Sequence, residues 1–204
     1  AATGPEAGWR RAAVSLSLDQ GVTWSDAGVT ALPATLGRST SPLADGPCSV
    51  MDRTSHVTVR LTHPGDTLAG TDMAGLLAGR NLAALGQELI QFQNAEALTD
   101  GTWRLSGLLR GRRGTEWATA THGLDEHFTL IEAETLLSLP VPIHAGRLDV
   151  MAIGVGDDMP ALATLTFGSE ALLPPAPVRL TMRTLPDGSV EVRWTRRSRA
   201  GWDW

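Results

Sequence analysis

Three stretches of this sequence hold residue types that could do chemistry. The first is His122-Gly123-Leu124-Asp125-Glu126-His127, with two imidazoles and two carboxylates in six positions. Imidazole beside carboxylate is a common means of moving a proton or holding a divalent metal. The spacing suits a metal poorly. Gly123 favours a loop, His-x4-His is not the i, i+4 pair that shares a helical face, and no third ligand falls at a matching interval. The reading is a turn leading into a strand over residues 127–131, with no metal and no other cofactor.

The second is Arg110-Gly111-Arg112-Arg113-Gly114-Thr115-Glu116, the densest basic cluster. An arginine–glycine loop can hold phosphates or an RNA backbone. The chain carries a net charge of −5, and no aromatic side chain is interleaved with these arginines. Guanidinium forks also pair carboxylates across or within subunits. Arg110, Arg112, Arg113 and Glu116 are therefore candidate assembly contacts or an intrachain salt-bridge knot, and no specific nucleic acid is expected.

The third is Ser17-Leu18-Asp19-Gln20-Gly21-Val22-Thr23-Trp24, which fits the Asp-box pattern Ser-x-Asp-x-Gly-x-x-Trp. Its physics is local: aspartate binds turn amides, glycine takes the positive φ, and tryptophan packs across a hairpin. Ser17, Asp19, Gly21 and Trp24 are read as a structural hairpin. Asp boxes occur in sialidase propellers, which raises a glycoside hydrolase reading. Against it, there is one box, 204 residues do not hold four or more blades, and no tyrosine is present to act as nucleophile.

Wider exclusions follow from composition. All 17 cations are arginine and there is no lysine, so Schiff-base catalysis is ruled out. The single cysteine, Cys48, forms no internal disulfide and no multi-cysteine metal site. No run approaches the roughly 20 apolar residues of a membrane span, and the N-terminal residues lack a signal-peptide layout. No nucleophile elbow or phosphate loop stands out. The chain is expected not to be an enzyme.

The elements that position these clusters read as strands. Glycine (22) and proline (12) are spread along the whole chain and interrupt nearly every window before a long helix could form. Val57, Val59 and Leu61 alternate strictly with polar neighbours, and Trp103 and Leu105 do so more briefly. Residues 148–155 form a nearly continuous apolar run, as a strand buried on both faces would. Ala163, Leu165 and Phe167 share one face of the next strand. Thr99-Asp100-Gly101 and Leu185-Pro186-Asp187-Gly188 each supply a hairpin turn. Residues 74–86 and 132–139 alone could hold a short helix. The fold class is all-β, a barrel or sandwich.

Leu173-Pro174-Pro175-Ala176-Pro177 reads as a stiff linker. It divides a β-barrel or sandwich region, residues 1–173, from residues 174–204. The latter hold a hairpin like the opening of a fibronectin type III module, and are too few to complete one. The chain is therefore expected to be a piece of something larger. Its end, Trp194-Thr195-Arg196-Arg197-Ser198-Arg199-Ala200-Gly201-Trp202-Asp203-Trp204, interleaves arginine and tryptophan. Such a cluster can stack arginine on tryptophan at a strand surface or present tryptophan to a carbohydrate. In a cut module the tryptophans are expected to belong to a core whose other half is absent.

Several stretches in order carry a resemblance. They are Trp9-Arg10-Arg11-Ala12-Ala13 with the Asp-box hairpin, residues 76–92, and Trp103-Arg104-Leu105-Ser106-Gly107-Leu108-Leu109-Arg110-Gly111-Arg112-Arg113-Gly114-Thr115-Glu116. His122, Phe128, the proline linker and Val192-Arg193-Trp194-Thr195-Arg196-Arg197-Ser198-Arg199 follow. Together they resemble the C-terminal part of the large tail hub protein of gene transfer agents and related siphophages, the "megatron" or host-specificity protein. The arginine–glycine string is the most specific part.

The resemblance implies a virion component of a bacteriophage-like tail tip, or baseplate hub, built from β-barrel domains with three-fold symmetry. Such a hub closes the tail tube and takes part in host attachment, cell-envelope penetration and DNA ejection. The implied partners are other copies of the chain in a trimer, the distal tail protein, and other hub and tail-fibre proteins, with transient contact with the host envelope. The place is the tail tip of a particle assembled in the bacterial cytoplasm. A competing reading is a carbohydrate- or receptor-binding module of a tail, motivated by seven tryptophans and the type III-like end. A glycoside hydrolase is the remote alternative.

Overall fold

The alternation at residues 57–61 has a direct structural consequence: Val57 and Val59 have no exposed surface, and they face the interior of a closed barrel. The computed structural model describes residues 1–4, 9–30, 32–139, 146–168 and 174–197. Its strands are β1 (Ala12–Ser17), β2 (Ser25–Val29), β3 (Leu36–Ser39), β4 (Asp52–Leu61), β5 (Leu82–Leu85), β6 (Glu88–Ala97), β7 (Trp103–Leu109), β8 (His127–Leu130), β9 (Arg147–Gly154), β10 (Ala161–Thr166), β11 (Val178–Thr184) and β12 (Val190–Thr195). One short α-helix, α1 (Met73–Leu77), and three 3-10 turns complete the elements described. The fold is all-β.

The barrel has six strands in the order β3-β4-β7-β6-β5-β8, with β8 returning to β3, every pair antiparallel. Closure leaves no unpaired sheet edge. Its interior is filled by Val57, Val59, Ile90, Phe92, Leu105, Leu108 and Phe128, each at most 1% exposed. Each such side chain contributes about 1.5–3 kcal/mol through burial.

Two irregularities decide what the barrel end contains. The β4–β7 register shifts between Asp52 and His56, and Gly107 in β7 has φ 64°. Before them the buried residues are Leu105 and Val57; past them they are Leu108, Arg110 and Asp52. A Cβ on Gly107 would lie 2.9 Å from that of Gln93, so the backbone there needs glycine twice over.

The barrel is inserted into a second sheet, β10-β9-β1-β2, also antiparallel. Its packed face joins Val14, Leu16 and Leu148 with Val150, Ala152 and Leu137. The expectation that residues 148–155 are buried on both faces is corrected here. Ile153 is 40% and Val155 80% exposed, because among the described residues one face of this sheet carries the apolar packing. The β11–β12 hairpin forms its own two-stranded sheet.

Both short-helix windows are also revised. In residues 74–86 the helix occupies Met73–Leu77, capped by Asp72, whose Oδ1 accepts from the Gly75 amide at 2.8 Å. Gly79, at φ 91°, then turns the chain into β5. Residues 132–139 hold a 3-10 turn, Ala133–Thr135.

Candidate functional site

One end of the barrel gathers the start of β4, the end of β7, the start of β6 and the start of β8. Into it project Asp52, Arg110 and Glu88, all nearly free of exposed surface. Arg110 Nε and Nη2 donate to both oxygens of Glu88 at 2.8–3.1 Å. Nη2 also donates to the Thr119 carbonyl at 3.1 Å, and Nη1 to the Ala44 carbonyl at 2.7 Å. One guanidinium thus ties together β6, the loop before β4 and the turn after Glu116–Ala118.

Glu88 receives more. The Gly111 amide donates to Oε1 at 2.5 Å, and His122 Nε2 lies 2.6 Å from Oε2. The other ring nitrogen, Nδ1, lies 2.7 Å from Glu126 Oε2. A neutral imidazole has one donor and one lone pair, so with a carboxylate oxygen at each nitrogen His122 must carry both protons. Burial opposes that charge, but the bonds to Glu88 and Glu126 outweigh it and hold the pKa of His122 above its ordinary value. Burial likewise opposes ionisation of Glu88, and His122, Arg110 and the Gly111 amide together bring its pKa below normal.

Asp52 sits at the edge of this network. Its Oδ1 accepts from the amides of Thr54 and Ser55 at 3.0 and 2.9 Å. Burial would raise its pKa, yet these bonds bring it down to about 2. Its Oδ2 accepts no hydrogen bond and lies 3.7 Å from Arg110 Nη1.

The network reaches the surface through the turn after Arg110. Arg112 Nε donates to Gln91 Oε1 at 2.7 Å, and Gln91 Nε2 donates to the carbonyls of Leu76 and Arg80. Arg113 is exposed at φ 52°. Glu116 pairs with Arg197, which follows β12. Between them lies a cleft of about 330 Å³ lined by Cys48, Ser49, Gly111, Arg112, Arg113, Glu116, Pro177 and Arg197 among others.

The four arginine-loop candidates therefore separate. Arg110 lies inside the barrel with no side-chain surface for another subunit, and belongs to an intrachain knot. Arg112 and Glu116 are half-buried at the cleft, and Arg113 is open to solvent. His122 turns inward while His127, at the start of β8, is exposed. Among the described residues no group of three or more His, Cys, Asp or Glu is placed to hold a metal ion.

The Asp-box residues lie elsewhere, at the β1–β2 turn. Asp19 Oδ1 and Oδ2 accept from the amide and hydroxyl of Thr23 at 2.9 and 2.6 Å. Ser17 Oγ accepts from the Gly21 amide at 2.8 Å. Trp24 Nε1 donates to the Gly21 carbonyl, and Gly21 has φ 87°. The bonds from Thr23 and Ser17 bring the pKa of Asp19 to about 2. Trp202 and Trp204 lie outside the described residues.

Sequence reasoning named Arg110, His122 and Glu126 but did not join them, and it missed Glu88, Asp52 and Gln91. The usable signal was Glu88 itself, a carboxylate opening an otherwise apolar run. A family model described as Rcc01698-like, C-terminal, matches residues 34–129; that family is associated with gene transfer agent proteins. The match spans the barrel, from just before β3 to within β8. The barrel is similar to an Rcc01698-like C-terminal region. No curated protein matches the chain. The Arg110–Glu88–His122 network lies within the matched residues, whereas the Asp box and the β11–β12 hairpin lie outside them.

Proposed function

We propose that this chain is a structural component of a phage-like, gene transfer agent tail tip: part of the multi-domain hub that closes the tail tube. The observation that carries the reading is the coincidence of the Rcc01698-like match, residues 34–129, with the closed barrel. A closed barrel with an ionic network at one end is a rigid unit, suited to a ring that must seal a tube. In a closed ring each subunit offers two different patches to its neighbours. The surface arginines Arg112 and Arg113 supply one such patch in a trimer or in contact with distal tail, hub or fibre proteins. The β11–β12 hairpin is the opening of a fibronectin type III-like module.

A receptor- or carbohydrate-binding role draws on one observation, the 58% exposure of Trp194 on β12. Immunogold electron microscopy of purified particles, with an antibody against this chain, separates the two. Gold at the distal end of the tail is the expected result, with no loss of labelling after glycan competition. Protein found free in lysate and absent from particles would overturn the hub reading.

A further inference from the structure

The β10-β9-β1-β2 sheet has two edges, and they are guarded differently. β2, at one edge, carries the charge of Asp26 and a register shift against β1. It also holds Gly28 at φ 106°, whose amide donates to Asp26 Oδ1 at 2.9 Å. Charge and bulge are the usual means by which a sheet edge refuses another strand. β10, at the other edge, has neither. Its register with β9 runs unbroken from Ala161 to Thr166, all six residues are exposed, and residues 159–168 hold no charged side chain. Among the described residues no strand but β9 pairs with it.

The ladder settles which groups the free edge offers. Phe167 lies one step past the Thr166–Arg147 pair, opposite Gly146, and its amide donates to the Gly146 carbonyl at 3.2 Å. Antiparallel bonds alternate along a strand, so Ala161, Ala163 and Leu165 address β9 as Phe167 does. Leu162, Thr164 and Thr166 turn their N–H and C=O groups outward. The side chains alternate as well. Ala161, Ala163, Leu165 and Phe167 share the face of Leu148, Val150 and Ala152, yet Leu165 is 46% and Phe167 40% exposed.

We propose that β10 is an interface between two copies of this chain, joined edge to edge as antiparallel strands about a two-fold axis at Thr164. The strand complements itself in that register. Leu162 meets Thr166 of the second copy, and Thr164 meets its own equivalent. Every outward N–H and C=O then finds a partner, in about six main-chain hydrogen bonds. On the packed face Ala163 lies opposite Leu165 and Ala161 opposite Phe167, so each large exposed side chain is set against an alanine. An axis at Ala163 would place Pro160, which has no N–H, against Thr166 and forfeit a bond. An axis at Leu165 would set leucine against leucine.

A two-fold contact of this kind closes on two copies and stops. One strand pair falls well short of the roughly 800 Å² per partner of a standard interface, so the dimer should form at about 10–100 µM. The contact does not rest on the tail-hub reading.

Sedimentation velocity of the full chain between about 1 and 500 µM tests it, with the mean mass expected to rise from one chain toward two. Leu162→Lys puts a charge on the free edge through a side chain already 69% exposed. It should hold the chain monomeric across that range with an unchanged melting temperature. Thr164→Cys in a Cys48→Ser background locates the axis. The two Cα atoms would lie about 5.5 Å apart, a span a disulfide bridges, and mild oxidation should cross-link them. Leu162→Cys in the same background stands about 13 Å from its own equivalent and should not cross-link.

A chain that stays monomeric throughout would overturn the proposal. A dimer that Leu162→Lys leaves intact, or one that cross-links as readily at position 162 as at 164, would place the contact elsewhere and overturn it too.

Discussion

Arg110 and Glu88 meet at the end of the barrel with Nε and Nη2 of one against both carboxylate oxygens of the other, at 2.8–3.1 Å and with neither side chain exposed. The pair is separated by 22 residues in sequence and joins the strand end of β7 to the start of β6. Its placement inside the barrel makes the network a closure device, because it fastens four elements whose backbones do not all pair with one another.

Breaking one side of that pair leaves a buried charge without its partner. Arg110→Leu or Glu88→Leu alone should destabilise the chain by about 3–5 kcal/mol, read as the shift in a urea unfolding midpoint. The double variant should be less destabilised than the sum of the singles, since the apolar pair carries no ionic desolvation cost. It should not return to the parent value, because the Gly111 amide and the carbonyls of Ala44 and Thr119 lose their partners as well. Additive losses would show that the two residues do not act as a unit.

The His122 bridge makes stability depend on pH in a stated direction. Its folded pKa is raised, so its contribution is full below the ordinary histidine value and is lost as pH rises through the higher folded value. Glu88 and Asp52 have lowered pKa values, so theirs is present above the ordinary carboxylate range and fades as pH falls. Stability should therefore peak in the mildly acidic to neutral range and decline on both sides. His122→Gln should remove the decline on the alkaline side and lower stability at pH 6 by about 2–4 kcal/mol, the cost of leaving buried carboxylates short of a partner. An alkaline slope that persists in His122→Gln would assign the titration elsewhere.

Barrel closure also depends on a glycine with no unusual φ. A Cβ on Gly37, in β3, would run into the Arg60 carbonyl of the adjoining strand and lie 3.2 Å from the Leu61 Cα. Both obstacles are backbone and cannot swing aside. Gly37→Ala should cost about 1–3 kcal/mol, the usual range for overpacking. Gly65→Ala, in the open β4–α1 loop where a Cβ meets nothing within 4 Å, should be neutral. Matching melting temperatures for the two variants would refute the close-approach reading.

What the sequence made legible follows interaction range. The β4 alternation, the β6–β7 hairpin with its Asp-Gly turn and the β11–β12 hairpin are local patterns, and each is a strand pair in the structure. Leu82-Ala83-Ala84-Leu85 was obscured because alanine and leucine favour helices. Pairing with both β6 and β8 overrides that preference. The ionic network was out of reach for a different reason. Glu88, Arg110 and His122 are 22 and 34 residues from one another along the bonds that join them to Glu88, and only closure of the barrel brings them together. Arg110 in particular looks like a surface residue until the shift near Gly107 is known.

The barrel should fold without the strands that flank it. Its six strands pair only among themselves, and its apolar cluster shares no residue with that of the β10-β9-β1-β2 sheet. Residues 1–4 reach the barrel region through the Ala34 amide, which donates to the Ala2 carbonyl at 2.9 Å, and through Thr3 Oγ1, 3.0 Å from His63. A fragment spanning residues 32–131 keeps every residue of the Arg110–Glu88–His122–Glu126 network. It should unfold in one cooperative transition and retain the alkaline loss of stability that His122→Gln removes. The cleft would not survive whole, because Pro177 and Arg197 are absent from the fragment, so Cys48 in it should react with maleimide faster than in the full chain. A fragment without a cooperative transition would mean that the flanking sheet supplies stability the barrel lacks, and that the two fold as one unit.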